Sequence, residues 1–259
     1  MLLDHAKERP AVRVRITTGG AAPTPALLSG LRKMGFDLIH MYGLTESYGP
    51  NTLNNPDAEG LDPDEHARLM ARQGMRHVTA GQVRVVDEAG IDVADDGAAM
   101  GEIALSGNTI MAGYYRDPEA TETAFRDGLF HTGDLAVMHP DGQIEIRDRA
   151  KDIIITGGEN VSSLELETVL HRHPDVLLAA VVAAPHAKWG ETPWAFIEPR
   201  ARSELDDTAL EAFCRANLAG FKRPRRFIFG PLPRTATGKI QKFVLRERAR
   251  QMAGERAEA

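Results

Sequence analysis

The stretch "RAKDIIITGGENVSSLELE", residues 149–167, decides how this chain is divided. After a charged start, an apolar β-branched run at 153–156 and a Gly-Gly pair predict a strand that ends in a tight turn. "SSLELE" then places the hydroxyl of Ser162 three residues before the carboxylate of Glu165, a pairing typical of a capping box at a helix N-terminus. We therefore predict that one domain ends at residue 148 and that another begins at 149, with a hinge at 149–152.

Two differently patterned regions precede this boundary. Residues 1–80 alternate strand and helix signals: 12–18 has β-branched alternation and 24–35 has helical apolar spacing with a glycine stop, which together predict an α/β arrangement. Residues 81–148 hold short β-rich segments separated by the turn sequences "DEAG", "DDG" and "PDG", which predict a small antiparallel β-subdomain.

The region after the boundary, 149–259, mixes strands and helices and is predicted to form a compact α+β domain. Its only cysteine, Cys214, is also the only one in the chain, which excludes an internal disulfide and a thiolate-rich metal site. The neighbours "EAFCRAN" place Cys214 on the apolar side of a helix, so we predict a packing role. The histidines of "HRH" at 171–173 are interpreted as solvated.

Charge and hydropathy limit the partners and the location. A net charge of −6 argues against broad nucleic-acid affinity, although the basic run at 221–227 either meets an anionic ligand or forms a solvated face. No apolar run is long enough to cross a bilayer, and the N-terminus lacks the apolar segment of a secretory signal. We expect a cytoplasmic chain without a membrane span.

Two short segments near the N-terminus offer groups for a nucleotide. "ITTGGAAP" at 16–23 leaves the backbone bare for a flat ligand, although a tight strand-to-helix turn explains the same letters. In "MYGLTESYGP", Tyr42 can stack on a base, Thr45 can donate to a phosphate oxygen and Glu46 can hold magnesium. The alternative for this second segment is a loop with an ordinary surface glutamate.

Further candidates lie around the domain boundary. Asp134 of "FHTGD" can accept two hydrogen bonds from a ribose diol, and Arg149 can reach the same sugar or its phosphate. Lys151 lies where a hinge would absorb backbone rotation, while Gly157 and Gly158 leave room for a thin ligand. The alternatives are that Asp134 is an ordinary surface aspartate, that Arg149 forms a salt bridge, and that 149–160 is a plain linker with a hairpin.

The last candidate is Lys239 in "PRTATGKIQKFVLRER", residues 233–248. Its mobile point charge can neutralise charge that develops on a bound carboxylate and phosphate, or it is a surface lysine beside a helix. It is not a phosphate-loop lysine of the Walker type, because Pro233 and Ile240 replace the glycine and the hydroxyl residue that this motif requires.

In this order, the motifs "TTGGAAP", "YGLTE", "GYYRDPEAT", "HTGDL", "IRDRAKDIIITGGENVSSLELE" and "PRTATGKIQKFVLRE" resemble the adenylate-forming superfamily, in particular its acyl-CoA synthetases. "ARQGM" and "KWGETPWAF" look most like the short- and medium-chain acid–CoA ligases that include 3-methylmercaptopropionyl-CoA ligase. The resemblance implies an α/β plus α+β fold, in which 1–148 is the C-terminal part of a large AMP-binding domain and 149–259 is a small mobile domain.

The resemblance also implies roles for residues at matching positions. Tyr42 and Gly43 would lie at the adenine, Thr45 at the α-phosphate and Glu46 at magnesium, while Lys239 would bridge carboxylate and phosphate during adenylation. The other expected contacts are the adenine wall at Gly20, Ala21 and Ala22, the ribose at Asp134 and Arg149, the hinge at Lys151, and the pantetheine channel of CoA at Gly157, Gly158 and Glu159. Tyr48 and Asn51 are candidates for the rim of the acyl pocket.

The implied reaction joins a small carboxylic acid to CoA with ATP and Mg²⁺. Family members carry a Ser/Thr/Gly-rich phosphate loop upstream of "TTGGAAP", and this chain has no such loop, so we expect the C-terminal half of an enzyme, inactive alone if that loop is indispensable. Two alternatives stay open. One is an adenylating module that loads a carrier protein, and the other is a non-catalytic remnant that binds nucleotide or a partner and self-associates through exposed former core.

Overall fold

The computed structural model describes residues 8–20, 23, 25–55, 60–236 and 238–257. The chain forms two compact units, Met1–Ile146 and Arg147–Ala259, which divide two residues before the predicted boundary. Within the described residues, no helix combines the length and the apolar character needed to cross a membrane.

The first unit starts with a four-stranded sheet and two helices. Its strands are β1 (Val14–Thr18), β2 (Phe36–Tyr42), β3 (Thr52–Asn54) and β4 (Met75–Arg76), and its helices are α1 (Pro25–Lys33) and α2 (Pro63–Ala71). β1 and β2 pair in parallel, whereas β3 and β4 add antiparallel strands in the order β1-β2-β3-β4. Leu28 and Leu31 of α1 pack with Leu38 and Met70, so the helical apolar spacing seen in the sequence builds this core.

A second sheet completes the first unit, and the predicted antiparallel β-subdomain is confirmed. Its strands are β5 (Val83–Val86), β6 (Met100–Leu105), β7 (Phe125–Arg126), β8 (Leu129–Met138) and β9 (Ile144–Arg149), with helix α3 (Pro118–Ala124) before β7. The order is β5-β6-β8-β7, and β9 also pairs with β8. The inward residues Val85, Ile103 and Phe130 form its core, and the ring of Tyr42 packs against the same cluster.

The second unit is one five-stranded sheet with helices on both faces. Its elements are β10 (Ile154–Thr156), β11 (Glu159–Val161), α4 (Ser163–Leu170), β12 (Val176–His186), β13 (Gly190–Pro199), α5 (Asp207–Asn217), β14 (Arg226–Phe229) and α6 (Lys242–Ala257). Along β12, Val181 packs into the core under α4 and α5, whereas Ala180 and Val182 pack into the core under α6. The unbroken apolar run of this strand follows from burial on both faces.

The start of α4 and the position of Cys214 were both predicted from the sequence. Ser162 caps α4, since its hydroxyl accepts a hydrogen bond from the Glu165 amide at 3.0 Å, but the carboxylate of Glu165 binds the ammonium of Lys222 at 2.7 Å. Only the serine half of the predicted capping box is therefore observed. Cys214 is buried on the inner face of α5 as predicted, and desolvation raises the pKa of its thiol to about 11.

Candidate nucleotide and acyl-transfer site

The loop after β2 gathers the first group of candidate residues. Gly43 follows the strand, and a Cβ there would lie 2.1 Å from the carbonyl oxygen of Gly49, so only glycine fits. A single turn of 3₁₀ helix, Thr45–Ser47, comes next and leaves the Thr45 side chain exposed. The Ser47 hydroxyl accepts from the Leu44 amide at 3.0 Å and thereby closes the turn. The loop thus presents Thr45 and Glu46 at the carboxyl end of a parallel strand, where α/β sheets bind ligands.

Glu46 is held by a segment that lies 65 to 68 residues further along the chain. The hydroxyl of Tyr114 donates to Oε1 of Glu46 at 3.1 Å, and the Met111 amide donates to the Glu46 carbonyl oxygen at 2.7 Å. Desolvation, followed by the hydrogen bond to Glu46, raises the pKa of the Tyr114 phenol. The carboxylate is therefore oriented before any ligand binds.

A lone carboxylate at this position fits magnesium. Among the described residues, no three His, Cys, Asp or Glu side chains gather closely enough to hold a metal ion by themselves. Magnesium in nucleotide enzymes is commonly held by one or two carboxylates together with substrate phosphates. The chemistry of Glu46 matches that use, and it does not match an all-protein metal cage.

Tyr42 and Asp134 meet across the two sheets of the first unit. The Tyr42 hydroxyl donates to Oδ2 of Asp134 at 2.8 Å, and Asp134 is only 3% exposed. Tyr42 ends β2, while Asp134 follows a glycine in β8, so residues 92 positions apart converge at one point. Sequence reasoning proposed a role in nucleotide binding for each residue separately and did not predict this contact.

The predicted adenine wall is only partly visible. Gly20 follows β1, is exposed and has φ +86°, a conformation that favours glycine. A Cβ at Gly20 would meet no atom within 4 Å, so the conformation rather than crowding explains the residue. Ala21 and Ala22 lie outside the described residues. The two candidates for the rim of the acyl pocket differ in exposure. Tyr48 is 89% exposed and has a left-handed backbone conformation, whereas Asn51 is buried.

The predicted hinge lies at the start of the second unit. Ala150–Asp152 form one turn of 3₁₀ helix, in which Lys151 is exposed. Asp152 forms an ion pair with Arg246 of α6. The Arg149 amide donates to Oδ1 of Asp148 at 2.7 Å, so this backbone segment is braced at both ends.

The predicted pantetheine border forms the tight turn between β10 and β11. Gly157 has φ +62° and Gly158 has φ +89°, and both are exposed together with Glu159. The Gly157 amide donates to the carbonyl oxygen of Trp189 at 3.0 Å. Two successive positive φ values explain the glycine pair, because side chains disfavour that conformation.

Lys239 lies in a loop whose base is closed by hydrogen bonds. The Thr235 amide donates to the Lys239 carbonyl oxygen at 2.9 Å, and the Lys239 amide donates to the Thr235 hydroxyl at 3.1 Å. Arg234 and Ile240 pair as an isolated antiparallel bridge just outside these bonds. Lys239 itself is exposed.

Comparison with known families covers most of the chain. The model described as AMP-binding enzyme matches residues 1–115, and the model described as AMP-binding enzyme C-terminal domain matches residues 165–239. This chain belongs to the AMP-binding enzyme family. The predicted membership of the adenylate-forming superfamily and the predicted α/β plus α+β fold class are confirmed.

Several AMP-binding enzymes resemble this chain closely. The acetate–CoA ligase CCL3 of Humulus lupulus is 48% identical over 247 residues, which are 92% of this chain and 44% of that protein. The 4-hydroxybutyrate–CoA ligase 2 of Metallosphaera sedula is 45% identical over 243 residues, or 93% of this chain and 44% of that protein. This AMP-binding chain therefore spans about half the length of the curated relatives it matches.

Two solved structures share the AMP-binding fold. The anthranilate CoA ligase AuaEII in complex with anthranoyl-AMP matches with a TM-score of 0.80 and 28% identity, over 93% of this chain and 45% of that one. ATP-bound MatB from Rhodopseudomonas palustris matches with a TM-score of 0.79 and 33% identity, over 90% of this chain and 44% of that one.

Sequence reasoning missed some polar groups that support the candidate residues. Tyr114 was part of a recognised motif without an assigned role, and Glu102 of "GEIALSG" received none. A carboxylate between the buried residues Gly101 and Ile103 was the only local signal for Glu102. His171, interpreted as solvated, is instead half-buried, and its Nε2 accepts from the Ala179 amide at 3.2 Å. That interpretation was wrong because α4 packs this ring against β12.

Proposed function

We propose that this chain carries the AMP-binding and CoA-facing parts of an AMP-forming acid–CoA ligase. The observation that carries the proposal is the convergence of Tyr42 and Asp134 beside the loop that presents Thr45 and Glu46. In this proposal the arrangement would offer a flat aromatic group, a diol acceptor, a hydroxyl donor and a metal-binding carboxylate at one end of the sheet. The similarity to ligases of acetate and 4-hydroxybutyrate supports a short-chain carboxylic acid as the substrate class.

The first half-reaction would form an acyl-adenylate. A carboxylate oxygen of the acid attacks the α-phosphorus of ATP, and the bond from this phosphorus to the bridging oxygen breaks to release pyrophosphate. The Thr45 hydroxyl donates to an α-phosphate oxygen, and the ammonium of Lys239 lowers the repulsion between the two anions. Glu46 would hold magnesium, which would offset phosphate charge when bound.

The second half-reaction would transfer the acyl group to CoA. The CoA thiolate attacks the acyl carbon, and the bond from that carbon to the AMP oxygen breaks, so the thioester and AMP are the products. Asp134 and Arg149 would hold the ribose, while the exposed turn Gly157–Glu159 would border the pantetheine arm. Lys151 would act as the hinge about which the C-terminal domain rotates after the first half-reaction. This rotation would move Lys239 away before the second.

The test is CoA-dependent AMP release by the purified chain from ATP. The acid panel contains acetate, butyrate, 4-hydroxybutyrate, 2-methylpropanoate and a thioether-bearing acid. If the upstream phosphate loop is dispensable, AMP and acyl-CoA should form in equal amounts with at least one short-chain acid, and Glu46→Gln should reduce both. Calorimetry with ATP reports binding separately from turnover. If the chain neither turns over any of these acids nor binds ATP, the proposal is refuted. If it binds ATP without turnover, only the complete reaction in this chain is refuted.

A further inference from the structure

The pairing of β6 with β8 breaks at the turn that presents Asp134. Glu102 faces Leu135 and Ala104 faces His131, so Thr132, Gly133 and Asp134 together oppose the single residue Ile103. Gly133 adopts φ +73°, which its lack of a side chain permits. The strand therefore contains a β-bulge, a feature that re-aims side chains next to binding sites.

The carboxylate of Glu102 occupies the gap that the bulge opens. Its Oε1 accepts from the Gly133 amide at 2.8 Å. Its Oε2 accepts from Nη2 of Arg126 at 2.7 Å and lies 2.8 Å from Nδ1 of His131. Both carboxylate oxygens are thus engaged, and the His131 side chain is only 7% exposed.

The Thr132 side chain makes two further hydrogen bonds at the bulge. The Thr132 hydroxyl donates to the Ile103 carbonyl oxygen at 2.9 Å, and it accepts from the Asp134 amide at 3.1 Å. The bonds to Gly133 and Asp134 hold two successive amides, so the direction in which the Asp134 side chain leaves the strand is determined. This direction delivers Oδ2 of Asp134 to the Tyr42 hydroxyl.

We propose that Glu102 is a positioning residue for ribose recognition and that it acts on Asp134 through the Gly133 amide. The inference rests on the proposed function, in which Asp134 accepts hydrogen bonds from the ribose diol. Glu102 itself touches no ligand in this account. Loss of its carboxylate releases the bulge, and Asp134 then no longer distinguishes a ribose from a sugar that lacks both hydroxyls.

The experiment compares the affinity for ATP with that for 2′,3′-dideoxy-ATP by calorimetry on the full chain. A hydrogen bond to a charged group is worth enough that the unaltered chain should prefer ATP by about 10-fold or more. We expect Glu102→Ala and Asp134→Ala to reduce this preference to less than about 3-fold. In Glu102→Gln the amide oxygen still accepts from Gly133, so the preference should recover in part, and this milder variant serves if the alanine variant does not fold.

Glu145→Ala is the matched control. Glu145 also lies in this sheet and contacts a histidine, since its Oε2 is 2.8 Å from Nε2 of His139. Its removal deletes a similar carboxylate–histidine pair while leaving the Gly133 contact intact, so the preference for ATP should not change. General destabilisation would lower affinity for both nucleotides and would leave their ratio unaltered.

A readout without ligand tests the anchor directly. The exchange of the Gly133 amide proton, followed by NMR, should accelerate at least about 10-fold in Glu102→Ala and remain slow in Glu102→Gln. An unchanged nucleotide ratio in Glu102→Ala, with a collapsed ratio in Asp134→Ala, would overturn this inference and leave the proposed function standing. An unaltered chain that fails to bind ATP, or that binds both nucleotides equally, would overturn the ribose role of Asp134 and this inference with it.

Discussion

The Tyr114 hydroxyl donates a hydrogen bond to Oε1 of Glu46 at 3.1 Å. The donor comes from a segment that precedes α3, and the acceptor comes from the turn after β2. Groups that orient a metal-binding carboxylate commonly change metal affinity when they are removed. The contact therefore indicates that Tyr114, to which the sequence motif gave no role, orients Glu46.

Tyr114→Phe should raise the Mg²⁺ requirement for adenylation. Loss of the hydroxyl leaves Glu46 free to rotate, so we expect the half-saturating Mg²⁺ concentration in ATP–pyrophosphate exchange to rise by about 10-fold. Tyr115→Phe is the control, because the neighbouring ring is 85% exposed. Equal Mg²⁺ requirements in both variants would contradict the positioning role of Tyr114.

Lys239→Ala should separate the two half-reactions. In the proposed mechanism the ammonium acts where two anions meet, so we expect adenylation to fall on the order of 100-fold or more, with little effect on thioester formation from supplied acyl-adenylate. Each half-reaction is measured separately, and Lys33→Ala, which alters an exposed lysine in α1, is the control. Parallel loss of both half-reactions in Lys239→Ala would rule out a role confined to the first.

Tyr42→Phe should destabilise the first unit through Asp134. The buried carboxylate of Asp134 loses a 2.8 Å hydrogen bond. The expected loss in the free energy of unfolding is about 1–3 kcal/mol, measured by urea denaturation. Tyr48→Phe removes a hydroxyl from an exposed ring and should change the same quantity by less than about 0.5 kcal/mol. Similar effects of the two substitutions would show that the contact contributes nothing specific.

Lys242→Met should destabilise the second unit strongly. Nζ of Lys242 lies 2.7 Å from Oε1 of Glu167 and donates to the Ser163 hydroxyl at 2.8 Å. Desolvation raises the pKa of Glu167, and Lys242 opposes that shift. Without the lysine a buried carboxylate lacks its cation, which costs about 3–5 kcal/mol in comparable pairs.

A second substitution checks this explanation. Glu167→Gln in the Lys242→Met background removes the buried charge and should restore most of the lost free energy of unfolding. Arg250→Ala, which breaks an exposed pair with Glu247, should cost less than about 0.5 kcal/mol. If the double variant is as unstable as Lys242→Met, the loss does not come from an uncompensated charge.

The second unit should lose stability as the pH falls below about 6.5. Nδ1–H of His171 donates to the Glu167 carbonyl oxygen at 2.7 Å, while Nε2 accepts from the Ala179 amide, so the ring is held neutral. Desolvation lowers the pKa of His171 below 6.5 in the folded state. The unfolded chain therefore binds more protons in that window, and protonation favours unfolding.

Urea unfolding at about pH 7.5 and about pH 5.5 measures this dependence. His171→Gln should show a smaller loss between the two values than the unaltered chain. His40, whose pKa is also lowered by desolvation, stays in both proteins and accounts for a shared remainder. Identical pH dependence in the two proteins would show that His171 does not contribute to it.

The sequence by itself determined the features that depend on near neighbours. The strand and helix order on both sides of residue 149, the apolar run of β12, the Ser162 cap and the inward position of Cys214 each follow from periodicity or from groups within four residues. The ordered motifs also determined the family. These properties are readable because helix and strand periods and cap chemistry act locally along the chain.

Only the tertiary structure decided which distant groups touch. Tyr42 and Asp134, Glu46 and Tyr114, and Lys242 and Ser163 are 92, 68 and 79 residues apart. Their contacts depend on strand register, on the bulge opposite Ile103 and on which helix covers each sheet face. A pattern of apolar and polar residues does not specify a two-residue shift such as the one opposite Ile103, since a shift of two keeps the same side chains on the buried face. The positioning roles of Tyr114 and Glu102 were therefore not predicted from the sequence. Roles for Glu46 and Asp134, the residues that they contact or position, were.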